Sequence, residues 1–178
     1  MATLNLPLKN MGERHRGLTP EVAEYYFQAA RVCLHRHHMP PVQFSIKNGE
    51  SKMEATTEWE PPDARVRAAW ANEIDATEAG AYACALAAVE LSEGLYAIRR
   101  AETRTGADYY IGPTNHDFGD LEDCLRLEVS GTDAGTSSMI QHRLREKVEQ
   151  TARGNSNLPA MAGVVGFQAR LIMLERAQ

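Results

Sequence analysis

The sequence predicts an α/β fold: a central mixed sheet flanked by helices, with an N-terminal helix and β-hairpin added to it. Three observations carry this. Apolar residues alternate with polar ones over 42–47 and again over 124–129, the two-residue period of a half-buried strand. An alanine-rich run over 76–94 reads as a long helix that packs closely on its neighbours. Beyond it, strand-like and helix-like segments follow one another at the spacing of a layered domain.

Residues 1–18 are expected to be a flexible or loosely docked arm. Thr19-Pro20-Glu21 then places a hydroxyl cap, a proline and an acid where a helix begins. Val22, Tyr25, Tyr26, Ala29, Val32 and Cys33 recur at helical spacing, and Pro40-Pro41 stops the run after about His37. Val42, Phe44 and Ile46 give a strand with one apolar face. Asn48-Gly49 supplies a tight turn, and Lys52–Trp59 returns as the second half of a hairpin.

Asp63 is placed to cap a short helix over 64–72, and Asp75 with Glu78 has capping-box spacing ahead of the alanine-rich helix. Tyr96–Thr103 fits either a helical continuation or a first sheet strand. Asp108–Ile111 is a short strand, 114–122 a polar loop, and Cys124–Val129 a strand. On that strand Cys124, Arg126 and Glu128 face one way and Leu125, Leu127 and Val129 the other. Ser130–Gly135 reads as a loop. A helix over 138–153 turns Ile140, Leu144, Val148 and Thr151 inward. Met161–Phe167 suits a buried strand, and Arg170–Glu175 a terminal strand or helix.

The bulk composition narrows the function classes. The chain has 178 residues, 43% hydrophobic and 24% charged, enough for one domain with a real core. The organisation expected is an arm over 1–18, a helix-plus-hairpin extension over 19–62 and a core over 63–178. A net charge of −5 argues against a purely electrostatic nucleic-acid binder but leaves room for a local basic patch. Cys33, Cys84 and Cys124 are odd in number and far apart, so neither a disulfide framework nor a cysteine zinc site is expected. No apolar run is long enough for a membrane span, and no leader pattern opens the chain. The expected setting is the cytoplasm, without membrane association.

The chemistry-bearing pattern is a pair of acids. Asp108 opens one strand and Glu128 lies toward the end of the next. Neighbouring strands stand about 4.8 Å apart, so two such carboxylates can share one hard cation. Such an ion can activate water and offset charge on a phosphodiester.

Gly106-Ala-Asp108, followed by Glu128-Val-Ser130, resembles the PD-(D/E)XK, or restriction-endonuclease-like, nuclease superfamily. The resemblance covers about residues 76–168. It implies an αβββαβ core, with 138–153 and 161–167 as the closing helix and strand. It implies a Mg²⁺ or Mn²⁺ site formed by Glu93 (or Glu90) from the preceding helix together with Asp108 and Glu128. Ser130 stands where the motif has lysine. Some members place the working lysine on the following helix, which makes Lys147 the candidate, with Arg143 and Arg145 near it. The activity implied is metal-dependent hydrolysis of nucleic-acid phosphodiesters, in a defence or repair assembly.

Blander assignments compete at each position. Asp108 can cap the turn at Gly106, and Glu128 can pair with Arg126 or with a basic helix residue. His35 and His38 can bind a metal or simply favour a helix C-terminus. His116, Asp117 and Asp120 form either an acid–base cluster or a polar loop. Gly131–Gly135 lacks the Gly-Lys-Ser/Thr of a phosphate loop. The rival overall reading is a non-catalytic interaction protein, homo-oligomeric or part of a larger assembly, contacting partners through Tyr25, Tyr26 and Phe27.

Overall fold

A computed structural model describes residues 2–114 and 117–178. Its elements in chain order are α1 (Met11–Arg14), α2 (Pro20–His37), β1 (Val42–Asn48), β2 (Ser51–Thr57), α3 (Ala64–Ala69) and α4 (Glu73–Glu93). They continue with β3 (Tyr96–Arg100), β4 (Tyr109–Gly112), β5 (Leu125–Thr132), α5 (Ser137–Ala152), β6 (Ala160–Gly166) and β7 (Leu171–Arg176). The seven strands form one mixed sheet in the order β2-β1-β7-β6-β5-β4-β3. The fold is therefore α/β, and from α4 to β6 its elements run αβββαβ.

Strand directions follow from the connections. β3, β4 and β5 form an antiparallel meander. β5 and β6 are parallel, which a two-residue turn cannot achieve, and α5 makes the required crossover. The hairpin β1–β2 is no separate extension. β1 pairs in parallel with β7, Ser45 opposite Leu171, so the hairpin completes one edge of the same sheet.

The helices divide between the two faces. α4 covers the face carrying Leu127, Val129, Met161 and Val165, and α2 packs outside it. α5 covers the other face through Ile140 and Leu144, against Ala162, Val164 and Leu171. The alanines of α4 let backbones approach. A Cβ on Gly80 would lie 3.0 Å from the backbone of Ala30 in α2. One on Gly131 would lie 2.8 Å from both Ala81 Cβ and the Thr77 carbonyl, so β5 and α4 meet too closely there for any side chain.

Several local expectations are corrected. Residues 2–18 are docked, not loose: Leu6, Leu8, Met11, His15 and Leu18 are buried. Leu6 N–H donates to the Thr56 carbonyl at 2.9 Å, and Thr56 N–H to the Leu4 carbonyl at 2.7 Å. The long helix begins at Glu73, capped by Asn72, whose side chain accepts from the backbone N–H groups of Ile74 and Asp75. Asp75 and Glu78 therefore lie within the helix and form no capping box. Ser130–Thr132 is not loop but the end of β5, paired with Val164–Gly166 of β6. Tyr96–Arg100 and Leu171–Arg176, each ambiguous by periodicity, are strands.

Candidate functional site

The pleat of β5 turns Arg126 and Glu128 toward α5 and Leu127 and Val129 toward α4, and all four are buried. Arg126 bonds to backbone carbonyls. Its guanidinium donates to the carbonyls of Thr105 (2.5 Å), Thr151 (3.0 Å) and Leu158 (3.1 Å). It thereby ties β5 to the end of α5 and to the loop before β4. Arg126 thus leaves Glu128 to a different cation: Lys147 of α5 donates its Nζ to Glu128 Oε1 at 2.9 Å and to Gln150 Oε1 at 3.3 Å.

Asp108 immediately precedes β4, and its own N–H donates to the Leu127 carbonyl at 2.7 Å. That bond sets the carboxylate beside β5. Tyr82 Oη donates to Asp108 Oδ1 at 2.9 Å, and the Val129 N–H donates to Oδ2 at 2.8 Å. Arg100 Nη2 lies 3.7 Å from the same Oδ1. Burial pushes the Glu128 carboxyl above its ordinary range, the charge of Asp108 adds to the rise, and Lys147 opposes it. Burial likewise pushes the Tyr82 phenol up, with Asp108 adding, so Tyr82 stays a hydroxyl donor to Asp108.

These groups open into a cavity of about 530 Å³. Asp108, Glu128, Ser130 and Lys147 line it with Glu73, Thr77, Glu78 and Tyr82 of α4 and Arg143 of α5. Arg143 donates to the Gly131 carbonyl at 2.9 Å and to Ser130 Oγ at 3.3 Å. The serine at the expected lysine position is thus an acceptor for a helix arginine. Asp133, also at the rim, is engaged by Arg36 at 2.5 Å and by His37 at 2.9 Å.

Three of the four residues singled out in the sequence, Asp108, Glu128 and Lys147, meet at one place. Glu93 does not join them. It accepts from Asn48 at 2.7 Å and pairs with Arg176 at 3.0 Å. The reason is topological. A helix leading into β3 must finish at the end of the sheet where β3 begins. Asp108 precedes the antiparallel β4, so it lies at the opposite end of the strands. The acids of α4 that reach the cavity are therefore Glu73 and Glu78, near its N-terminus, and tracing the chain direction through the meander would have found them. Glu90 also lies elsewhere, bound to Arg14 at 2.6 Å and to His15 at 2.8 Å. Arg145 lines a different surface depression, with Lys47 and Arg176.

The remaining candidates disperse. His35 accepts from the Trp59 indole, His37 engages Asp133, and His38 meets the Phe167 carbonyl. The three cysteines are free and buried, and burial raises the Cys33 thiol to about 11. His116 lies outside the described residues.

No protein-family model matches this chain, and no curated protein or solved structure does either. No helix among the described residues is long and apolar enough to cross a membrane.

The donor set can be tested against a hard divalent cation. Among the described residues no group of three or more His, Cys, Asp or Glu side chains is placed to hold a metal ion. Two adjacent carboxylates remain, Glu128 paired with Lys147 at 2.9 Å and Asp108 with Arg100 at 3.7 Å, and burial, with the Asp108 charge adding, holds the Glu128 carboxyl above its ordinary range. Mg²⁺ commonly binds through one or two carboxylates and completes its shell with water and substrate oxygens. Asp108 and Glu128 fit that mode. Glu93 has no part in it.

Proposed function

We propose that this domain hydrolyses nucleic-acid phosphodiesters with the help of Mg²⁺ or Mn²⁺, as a divergent relative of the PD-(D/E)XK nucleases. The observation that carries the reading is the convergence of Asp108, Glu128 and Lys147 on one open cavity, from the start of β4, the middle of β5 and α5. Support also comes from the αβββαβ order of the elements that deliver them.

Asp108 and Glu128 would hold the cation, which supplies charge neutralisation and a more acidic attacking water. Tyr82 and the Val129 amide fix the Asp108 carboxylate in one orientation. Lys147, extending from the following helix, performs the electrostatic task that Ser130 cannot. Its ammonium sits beside the carboxylates, where charge develops on phosphoryl oxygens. Arg126 holds the C-terminal turn of α5 to β5 and so sets the height of Lys147 over the site.

The test is a Mn²⁺ titration followed by incubation with single- and double-stranded DNA and RNA, run for the parent, Asp108→Asn and Glu128→Gln. The reading expects cation binding and cutting in the parent and loss of both in each variant. Folded parent protein that binds no divalent cation, or variants that cut as well as the parent, would overturn it. The first outcome, with no cutting of any of the four substrates, would favour a non-catalytic interaction protein.

A further inference from the structure

Arg100 closes β3 at the edge of the sheet, opposite Tyr109 in the antiparallel register. Its guanidinium carbon stands 4.9 Å from the ring centroids of both Tyr82 and Tyr109. Nη2 approaches the Tyr82 hydroxyl at 3.2 Å and Asp108 at 3.7 Å. Two rings and a hydroxyl thus hold the group in one place, yet 52% of the side chain remains exposed. An arginine pinned in this way loses little freedom on binding, and its planar fork matches the oxygens of a phosphate. The nearby carboxylate does not consume the fork, because Asp108 takes its close hydrogen bonds from Tyr82 and Val129.

The surroundings select the direction of approach. Glu73 and Glu78 form an acidic wall on the α4 side of the cavity. Lys147 and Arg143 stand on the α5 side, with Arg143 beside Ser130 and Gly131. Arg100 stands just outside the cavity, against two residues that line it, Tyr82 and Asp108, so a polyanion crossing the Asp108–Glu128 pair would meet Lys147 and Arg143 from α5 and Arg100 from β3. We infer that Arg100 is a phosphate-binding residue of this site, gripping the nucleic-acid backbone on the Asp108 side of the bond to be cut. This inference rests on the hydrolytic reading given above and extends it to the path of the substrate.

The experiment measures fluorescence anisotropy of labelled single-stranded and duplex oligonucleotides, in a Glu128→Gln background that prevents cutting. Compared in that background are Arg100→Gln, Arg100→Lys and Arg153→Gln. Arg153, 81% exposed just past α5, is the charge-matched control. Arg100→Gln is expected to weaken binding roughly 5- to 20-fold near 50 mM salt. The slope of log K against log[salt] should fall by roughly 0.7–0.9, the share of one phosphate contact. Arg100→Lys should recover part of the loss, and Arg153→Gln should change binding less than about twofold. If Arg100→Gln fails to fold, Arg100→Met, which keeps an apolar stem against the Tyr82 and Tyr109 rings and deletes the charge, decides: a folded Arg100→Met with affinity and slope unchanged overturns the proposal. Equal behaviour of Arg100→Gln and Arg153→Gln also overturns it, as does the absence of oligonucleotide binding in the background protein. Mn²⁺ titration of Arg100→Gln alone, with Glu128 intact, separates the two claims. Retained cation binding without an effect on nucleic acid sinks the role of Arg100 and spares the carboxylate pair, whereas a parent that binds no cation sinks the hydrolytic reading itself.

Discussion

Lys147→Met keeps most of the methylene stem and deletes the charge, so it isolates the ion pair with Glu128. The Glu128 side chain is 11% exposed and that of Lys147 26%, with 2.9 Å between the charged atoms. At an effective dielectric near 20 the gross attraction over such a distance is about 6 kcal/mol. Desolvation and the open cavity remove most of it, and a charge-assisted bond of this kind contributes about 2 kcal/mol net. The loss should depend on pH. The folded-state Glu128 carboxyl already stands above its ordinary range. An acid raised on folding stabilises the native state most fully below the ordinary carboxylate range, and that contribution fades as pH rises through the raised value. Removing Lys147 raises Glu128 further, so the variant should lose about 2 kcal/mol at pH 8 but under about 1 kcal/mol at pH 5, where a proton replaces the lost cation. Urea unfolding reads this directly: with m near 2 kcal/mol/M the midpoint should fall by roughly 1 M at pH 8 and by less than half that at pH 5. Equal losses at both pH values would refute the electrostatic argument and assign the effect to packing of the lysine stem.

Three further predictions come from the same structure. Glu128→Gln removes a carboxyl held above its ordinary range beside Asp108, so at pH 8 its unfolding free energy should stay within about 1 kcal/mol of the parent, on the stabilised side. Arg126→Leu strands the carbonyls of Thr105, Thr151 and Leu158 and should cost about 3 kcal/mol, a drop in Tm of roughly 10 °C by calorimetry. Glu90→Gln should release residues 2–18. Burial works against the Glu90 charge, but His15 and Arg14 outweigh it and hold the carboxyl below its ordinary range. The clamp is therefore present above that range and lost as pH falls through the lowered value. Hydrogen exchange over residues 4–18 should rise in the variant at neutral pH by about tenfold, and in the parent only in acid.

His15 shows how that arm became visible only in three dimensions. Its Nδ1 accepts the Ala97 N–H at 2.9 Å, which makes Nε2 the donor to Glu90. A histidine and an arginine after a run of leucines have no periodicity, and their partners lie 75 and 76 residues away. Ser130–Thr132 was obscure for a related reason: Ser-Gly-Thr has the local chemistry of a turn. Backbone pairing with β6 and the close approach of α4 at Gly131 override that preference.

By itself the sequence determined the α/β class, most element boundaries, and three side chains, Asp108, Glu128 and Lys147, that share one cavity. It could do so because strand alternation, helix caps and turn residues are short-range signals, and the order of elements constrains which strand ends neighbour one another. The tertiary structure decided which acids of the long helix face that cavity, which partner each charge takes and where the hairpin attaches. Those outcomes depend on chain direction and on contacts between segments far apart in sequence. Glu93 and Glu78 carry the same carboxyl on the same helix, about 22 Å apart along its axis at 1.5 Å per residue. Only the path of the backbone through the meander sends Glu78 to the end of the sheet bearing Asp108 and Glu93 to the end where Arg176 waits.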